Sequence, residues 1–344
     1  MTDKHDESRP LAIDIHAHLL VPEVYAVTAA HSLFHKMITN SSGSEEVRRK
    51  NRQRADWVVA QMSDLVERHA QMDRMGVDIQ VLSSSLVHQC TYWAPPSESL
   101  RLEQTFNDHT ARAVADGKGR FIGLCSVPLQ EPALAVQELQ RCMSELGLKG
   151  VGISTIVGET EIGEKSLWPF WSKVEEFGAV VYIHPAGNPH PRFQKHQLWN
   201  SVGQNFEETM AIASLFYEGV LDAFPKLKIC ISHGGGYMPY NLGRIARNYV
   251  EKPSTRANMT KSPADYLRML YYDTCVYDSN VLKHLVEQVG AEQVVLGSDY
   301  PVGEMKPVEF VRDAPAITDD DKKRIIGLNA AKLFDIDVSS RPRI

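Results

Sequence analysis

The sequence predicts an α/β fold built as one (β/α)8 barrel, and three observations carry that expectation. Short apolar, β-branched segments recur eight times along the 344 residues. Amphipathic stretches with apolar residues three and four apart separate most of them, as helices covering a sheet require. Polar side chains able to do chemistry cluster at the C-terminal ends of the apolar segments, where barrel active sites form. The first two features also suit a doubly wound open sheet; the third selects the barrel.

Taken in order, the strand segments are LAIDI (11–15), IQVLSS (79–84), RFIGLCSV (120–127), KGVGIS (149–154), AVVYIH (179–184), LKICIS (227–232), LYYDTC (270–275) and QVVLGSD (293–299). The intervening helices are WVVAQMSDLVERHAQMDRM, SLRLEQTFNDHTARAVAD, PALAVQELQRCMSEL, SLWPFWSKVEEF, NFEETMAIASLFYEGVLDAF and NVLKHLVEQV. The stretch TDDDKKRIIGLNAAKLFDI reads as a terminal helix, with Thr318 as N-cap and acids in its first turn. Two segments interrupt the alternation. Residues 19–56 form a long loop insertion after the first strand, ending in the basic RRKNRQR, and 185–204 form a loop containing Pro and His. The basic run reads either as a solvated helix face or as a contribution to the site. Residues 1–10 are expected to be a flexible N-terminus, 11–336 a single barrel domain, and 337–344 a C-terminal tail.

Composition narrows the function classes. A chain with 43% hydrophobic and 23% charged residues is ordinary for a globular protein, and at this length it needs no structural metal to stabilise its core. A net charge of −6 argues against a general nucleic-acid binder, which needs basic surface to neutralise phosphates. No apolar run approaches the roughly 20 residues that span a bilayer, and MTDKHDESRP lacks the apolar core of a signal peptide. Five cysteines, widely spaced and without a Cys-x-x-Cys, fit reduced thiols. A soluble, cytoplasmic protein without membrane or nucleic-acid partners is the expectation.

The first strand runs into DIHAH. Residues two apart on a strand share a face, so His16 and His18 both point into the barrel mouth. The fifth strand ends at His184, the sixth runs into His233, and the eighth ends at Asp299. Three histidines and one carboxylate make a credible shell for one divalent ion, leaving His233 as an acid or base beside it. Each histidine alone is better read as structural; the coincidence at several strand ends argues otherwise. Asp14 shares the facing of the two histidines and reads as support beneath them.

DIHAH, YIHPAG, ISHGGG with its following GR, and VVLGSDYP together resemble signature segments of the amidohydrolase superfamily. TYWAPPSESL, RFIGLCSVPLQEPALAVQEL, GVLDAFPKLKICISHGGG and NAAKLF narrow the resemblance to the branch containing aminocarboxymuconate semialdehyde decarboxylase, over about residues 11–336. This resemblance implies a mononuclear site with His16, His18, His184 and Asp299 as ligands, and His233 handling protons. The retained His-x-His points to Zn2+, with Mn2+ as the alternative, and no organic cofactor. No counterpart of the bridging lysine of binuclear relatives is present, since the fourth strand reads GVGIS.

The implied reaction is decarboxylation of a small unsaturated or aromatic carboxylic acid in aromatic-compound catabolism. A hydrolase cleaving a carbon–carbon bond, lactone or amide, or a hydratase, is the alternative on the same scaffold, because the ligand set serves all of these. Substrate contacts are sought at Arg52 and Arg54 in the insertion, together with the neighbouring Arg48 and Arg49. Further candidates are Tyr92 and Trp93 after the second strand, Trp199 on the 185–204 loop that also carries His190 and His196, and Arg244 after the HGGG segment. By resemblance the protein is a homodimer in which one subunit lends a cation to its neighbour. That cation falls near Lys252 or Arg256, and a lysine there supplies charge without the two-pronged grip of arginine.

Overall fold

The computed structural model describes residues 10–32, 34–35 and 44–337. The N-terminal segment and C-terminal tail anticipated from the sequence thus lie, but for Pro10 and Asp337, outside the described residues. Eight parallel strands follow one another around a single sheet: β1 (Ile13–Leu19), β2 (Ile79–Ser84), β3 (Phe121–Cys125), β4 (Gly150–Ile153), β5 (Val180–Ile183), β6 (Lys228–Ile231), β7 (Tyr271–Asp273) and β8 (Val294–Val295). Each strand pairs with the next in sequence. The sheet closes where Ile15 N donates to Leu296 O at 2.9 Å and His18 N to Tyr300 O at 3.1 Å. The barrel is therefore a (β/α)8 fold, with all eight expected strands in place.

The strands are almost wholly buried, which is why they read as near-continuous apolar runs rather than alternating ones. Inside the barrel, Ile13, Ile15, Val81, Leu124, Tyr182 and Val295 form one cluster, closed from below by Leu333 and Phe334 of the terminal helical segment. A larger cluster fills the space between strands and outer helices, with Trp171, Phe170, Leu215 and Phe216 at its centre.

Four features differ from the sequence expectation. The insertion after β1 contains helices at Pro22–Thr28 and Glu45–Ser63 rather than only a loop. Ser44 caps the second by accepting from Val47 N, Glu45 and Glu46 sit in its first turn, and the basic run lies along it. The helix expected over 57–75 is broken at Asp64, whose side chain accepts from Val66 N and Glu67 N and starts a new helix, Leu65–Met75. The one expected over 205–224 breaks at Gly219, whose φ of +76° no β-carbon-bearing residue adopts easily. A further helix, Met238–Glu251, follows β6. Among the described residues no helix is long and apolar enough to cross a membrane.

Candidate active site

β1 carries His16 and His18 to the upper end of the barrel, both buried. His16 Nδ1 lies 2.7 Å from Asp273 Oδ2 at the end of β7. A carboxylate only accepts, so Nδ1 bears the hydrogen and Nε2 is directed to the centre. His184, directly after β5, is set the same way: Nδ1 donates to Pro185 O at 2.9 Å, and its buried Nε2 has no hydrogen-bond partner. His18 Nε2 lies 3.3 Å from His16 Nε2 and 3.0 Å from Asp299 Oδ1. Asp299 Oδ1 is also 3.2 Å from His16 Nε2.

These distances describe convergence on one point. The ring centroids of His16 lie 5.0 Å from those of both His18 and His184, and His18 and His184 are 4.7 Å apart. Ligand atoms of His16, His184, His233 and Asp299 all lie within 4.8 Å of one another. Imidazole nitrogens plus a carboxylate suit zinc or manganese, and the unpartnered Nε2 of His184 is what a bound ion would satisfy.

The electrostatics favour positive charge at the centre. Burial works against the protonated form of His16, but Asp299 and Asp273 outweigh it and raise its pKa to about 9. Burial alone would raise the Asp299 carboxyl, yet His16, His18 and His233 hold it well below the ordinary range. His184 is held well below its usual value by burial and by the neighbouring imidazoles.

His233 follows β6 with φ of +48°. Its Nδ1 is 2.5 Å from Glu208 Oε1, and its Nε2 is 3.7 Å from Asp299 Oδ2. Glu208 is fully buried and also accepts from Ser232 Oγ. Burial depresses protonation of His233, but Glu208 and Asp299 carry its pKa well above the usual value.

A second tier fixes the backbone. Asp14 accepts from Ser298 Oγ at 2.6 Å, Ser298 N at 2.9 Å, Gln80 Nε2 at 2.9 Å and His16 N at 3.1 Å, tying β1 to the segment leading to Asp299. Fully buried Arg68 donates to His18 O at 2.5 Å and lies 4.5 Å over the Tyr300 ring. A β-carbon on Gly297 would come 2.7 Å from Asp273 Cβ and 3.1 Å from His16 Cβ, so only glycine allows this approach.

A cavity of about 380 Å³ opens onto the centre, its wall including His18, His184, Asp299, Arg54, Trp199 and His88. A second, of about 360 Å³, reaches Asp299 from the His233 side, past Asn200, Gln204 and Tyr277. Of the substrate contacts sought in the sequence, Arg54 and Trp199 thus border the cavity. Arg52 is exposed on the same helix but does not line it. Tyr92 packs against the core, Trp93 stacks on His31 at 3.4 Å while donating to Cys90 O, and neither borders the cavity. Arg244 is exposed on the Met238–Glu251 helix, Lys252 stands at that helix's C-terminus, and Arg256 donates to Tyr249 O and Val250 O. None of these three reaches this chain's own cavity. On the 185–204 loop, His190 and His196 are exposed and border neither cavity. Asp273, Glu208, Arg68 and His88 are additions to the residues anticipated.

The amidohydrolase family model matches residues 13–336. A 2-amino-3-carboxymuconate-6-semialdehyde decarboxylase from Dictyostelium discoideum is 34% identical over 347 residues, covering 96% of this chain and 93% of its own. The crystal structure of 5-carboxyvanillate decarboxylase from Sphingomonas paucimobilis superposes with a TM-score of 0.84 at 27% identity, over 95% of this chain and 100% of that one. A dihydroxybenzoic acid decarboxylase from Polaromonas, solved with bound manganese and 2-nitroresorcinol, shares the fold at a TM-score of 0.79 and 23% identity, over 95% and 97% of the two chains. With strand-end histidines converging on Asp299 inside such a barrel, the chain belongs to the amidohydrolase family.

Proposed function

We propose that this protein is a metal-dependent decarboxylase of a small unsaturated or aromatic carboxylic acid. The observation that carries the reading is His233, held by Glu208 on the wall of one cavity, beside a convergent set of imidazoles and the Asp299 carboxylate, which borders both cavities. His16, His18, His184 and Asp299 would hold one divalent ion, zinc being favoured by the paired histidines. Such an ion polarises a substrate oxygen and supports the negative charge that develops as the carbon–carbon bond breaks.

The remaining work falls to side chains. Arg54 forms no ion pair among the described residues and borders the cavity, so it offers its charge to the substrate's carboxylate. Trp199, buried and braced by its Nε1 donating to Gln197 Oε1, supplies a flat wall for an unsaturated carbon frame. As carbon dioxide leaves, the electron pair of the broken bond takes a proton from His233, and Glu208 stabilises the charged imidazole beforehand. Solvent entering past Asn200 and Gln204 restores that proton.

A cytoplasmic homodimer completes the proposal. All five cysteines are free, which fits a reducing compartment. Lys252 and Arg256 lie away from their own cavity, so any contact with substrate requires a neighbouring subunit. The test is a screen of metal-replete protein against ring-cleavage and hydroxybenzoic acids, with evolved carbon dioxide measured and products identified by mass. Loss of 44 mass units with gas release is the expected result. Mass gain from labelled water without carbon dioxide would replace this reading with hydrolysis or hydration. Metal analysis of His16→Ala and Asp299→Ala checks the ligand set, and full metal retention in both would sink it.

A further inference from the structure

His88 and Ser85 lie on the wall of the substrate cavity, outside the metal cage and with no part in the chemistry above. His88 sits in a four-residue helical turn, Leu86–Gln89, beyond β2, and is 3% exposed. Its position is over-determined. Nδ1 is 2.6 Å from Ser85 Oγ, the backbone carbonyl accepts from Thr28 Oγ1 at 3.0 Å, and the ring packs 4.4 Å from Phe34 and 6.1 Å from Tyr25. Its Nε2 is buried and has no hydrogen-bond partner.

Aromatic packing explains a Phe or Leu at such a position, but not a histidine. A buried nitrogen without a hydrogen-bond partner is destabilising, and a ligand that supplies the missing partner removes that cost. Burial holds the imidazole neutral, with a pKa lowered to about 3, so it does not attract a carboxylate by charge. Which ring nitrogen bears the hydrogen depends on the direction of the Ser85 hydrogen bond. If Ser85 donates, Nε2 presents N–H; if it accepts, Nε2 presents a lone pair. A hydroxyl both donates and accepts, so it satisfies either tautomer.

We infer that His88, oriented by Ser85, is a specificity-determining residue that hydrogen-bonds an uncharged hydroxyl substituent of the substrate. The inference rests on the carboxylic-acid reading above and narrows it to hydroxylated acids. Division of the cavity follows: charge recognition at Arg54, neutral polar recognition at His88, and reaction at the histidine–Asp299 centre.

Calorimetric titration of metal-replete protein with benzoate and its three monohydroxy isomers tests this directly, using wild type, His88→Leu, His88→Gln and Ser85→Ala. Wild type is expected to bind at least one isomer about tenfold more tightly than benzoate, because a site built for a hydroxyl rejects the analogue lacking it. His88→Leu should reduce that preference to less than about twofold while changing benzoate affinity by less than about threefold. His88→Gln restores part of it and Ser85→Ala weakens it, so the test stands even if the leucine variant folds poorly. A preference retained in all three variants places the hydroxyl elsewhere and overturns the inference alone. Equal binding of all four acids by wild type means that Nε2 meets only water, and also overturns it. Failure of every acid to bind wild type removes the aromatic-acid part of the reading above, and this inference with it.

Discussion

Replacing Asp273 by Asn tests how far the metal cage depends on a residue that need not touch the ion. The Asp273 carboxylate accepts four hydrogen bonds: His16 Nδ1 at 2.7 Å, Tyr182 Oη at 2.9 Å, Cys275 N at 3.0 Å and Gly234 N at 3.2 Å. Asparagine offers one oxygen and one NH2 group. If the oxygen faces His16 and Tyr182, the NH2 opposes two backbone N–H groups, leaving two buried donors without acceptors. At about 1–3 kcal/mol each, the fold loses about 2–6 kcal/mol. If the amide is reversed, His16 loses its orienting acceptor and its Nε2 is no longer fixed as the lone-pair nitrogen. In either case the negative charge behind His16 is lost, so metal affinity should fall about 10- to 100-fold, the usual effect of removing a carboxylate behind a histidine ligand. That is roughly 1.4–2.8 kcal/mol. Chelator competition gives the metal Kd, and thermal melts of metal-free and metal-replete protein separate the stability loss from the binding loss. A Kd within about twofold of wild type in a folded D273N protein would refute the orienting role of this carboxylate.

The remaining predictions probe the cavity, the barrel and the buried charges. Arg54→Ala should raise KM about tenfold with kcat within about threefold of wild type, whereas Arg52→Ala should change neither; steady-state kinetics on the acid found by the screen decides, and equal effects would remove Arg54 from the site. Gly297→Ala should weaken metal binding at least about tenfold, since its β-carbon would press on Asp273 and His16. Glu103, buried beneath Thr91, has its carboxyl raised by burial to about 7, so the folded protein holds a proton that the unfolded chain releases. Its favourable contribution is complete below the unfolded value near 4.5 and is lost as pH rises to about 7, by about 3 kcal/mol. Glu103→Gln should therefore gain in melting temperature over wild type between pH 5 and pH 8, and a pH-independent difference would contradict this.

The barrel was legible because each strand is buried on both faces and bounded by helical periodicity, so its apolar run stands out. His16, His18, His184, His233 and Asp299 were legible as candidates because they occupy strand ends, which the fold rule marks before any contact is known. The same rule reaches Asp273, which ends the observed strand YYD, but spacing does not say that its carboxylate turns to His16. Glu208 had a clearer signal. In the Gln204–Tyr217 helix it shares the three-and-four spacing of Ala211, Ile212, Leu215 and Phe216, all buried. A carboxylate on an apolar stripe needs a partner, and His233 is that partner. His88 lies in a turn of four residues, too short for periodicity to indicate its facing. Tyr92 and Trp93 follow the turn after the second strand and precede the Pro96–Asp116 helix, and position in the sequence does not say whether such residues face the cavity or the core.

The placement of these groups separates two kinds of change. His16, His184 and His233 each have a fixed partner away from the centre, in Asp273, Pro185 O and Glu208, and Arg68 holds the backbone at His18. Asp273 and Pro185 lie on or beside barrel strands, and Glu208 and Arg68 on helices that follow or precede them. The cavity wall is drawn from elsewhere: Arg54 from the inserted Glu45–Ser63 helix, His88 from a turn beyond β2, Trp199 from the loop after β5. Substitutions in the wall should therefore alter substrate choice without disturbing the ion. Metal affinity makes the separation measurable, because sites without shared partners contribute additively to within about 0.5 kcal/mol. Arg54→Ala should leave the metal Kd unchanged, and the R54A/D273N protein should match D273N alone. Coupling above about 1 kcal/mol in that cycle would show that the insertion helps build the cage, and the division between wall and centre would fail.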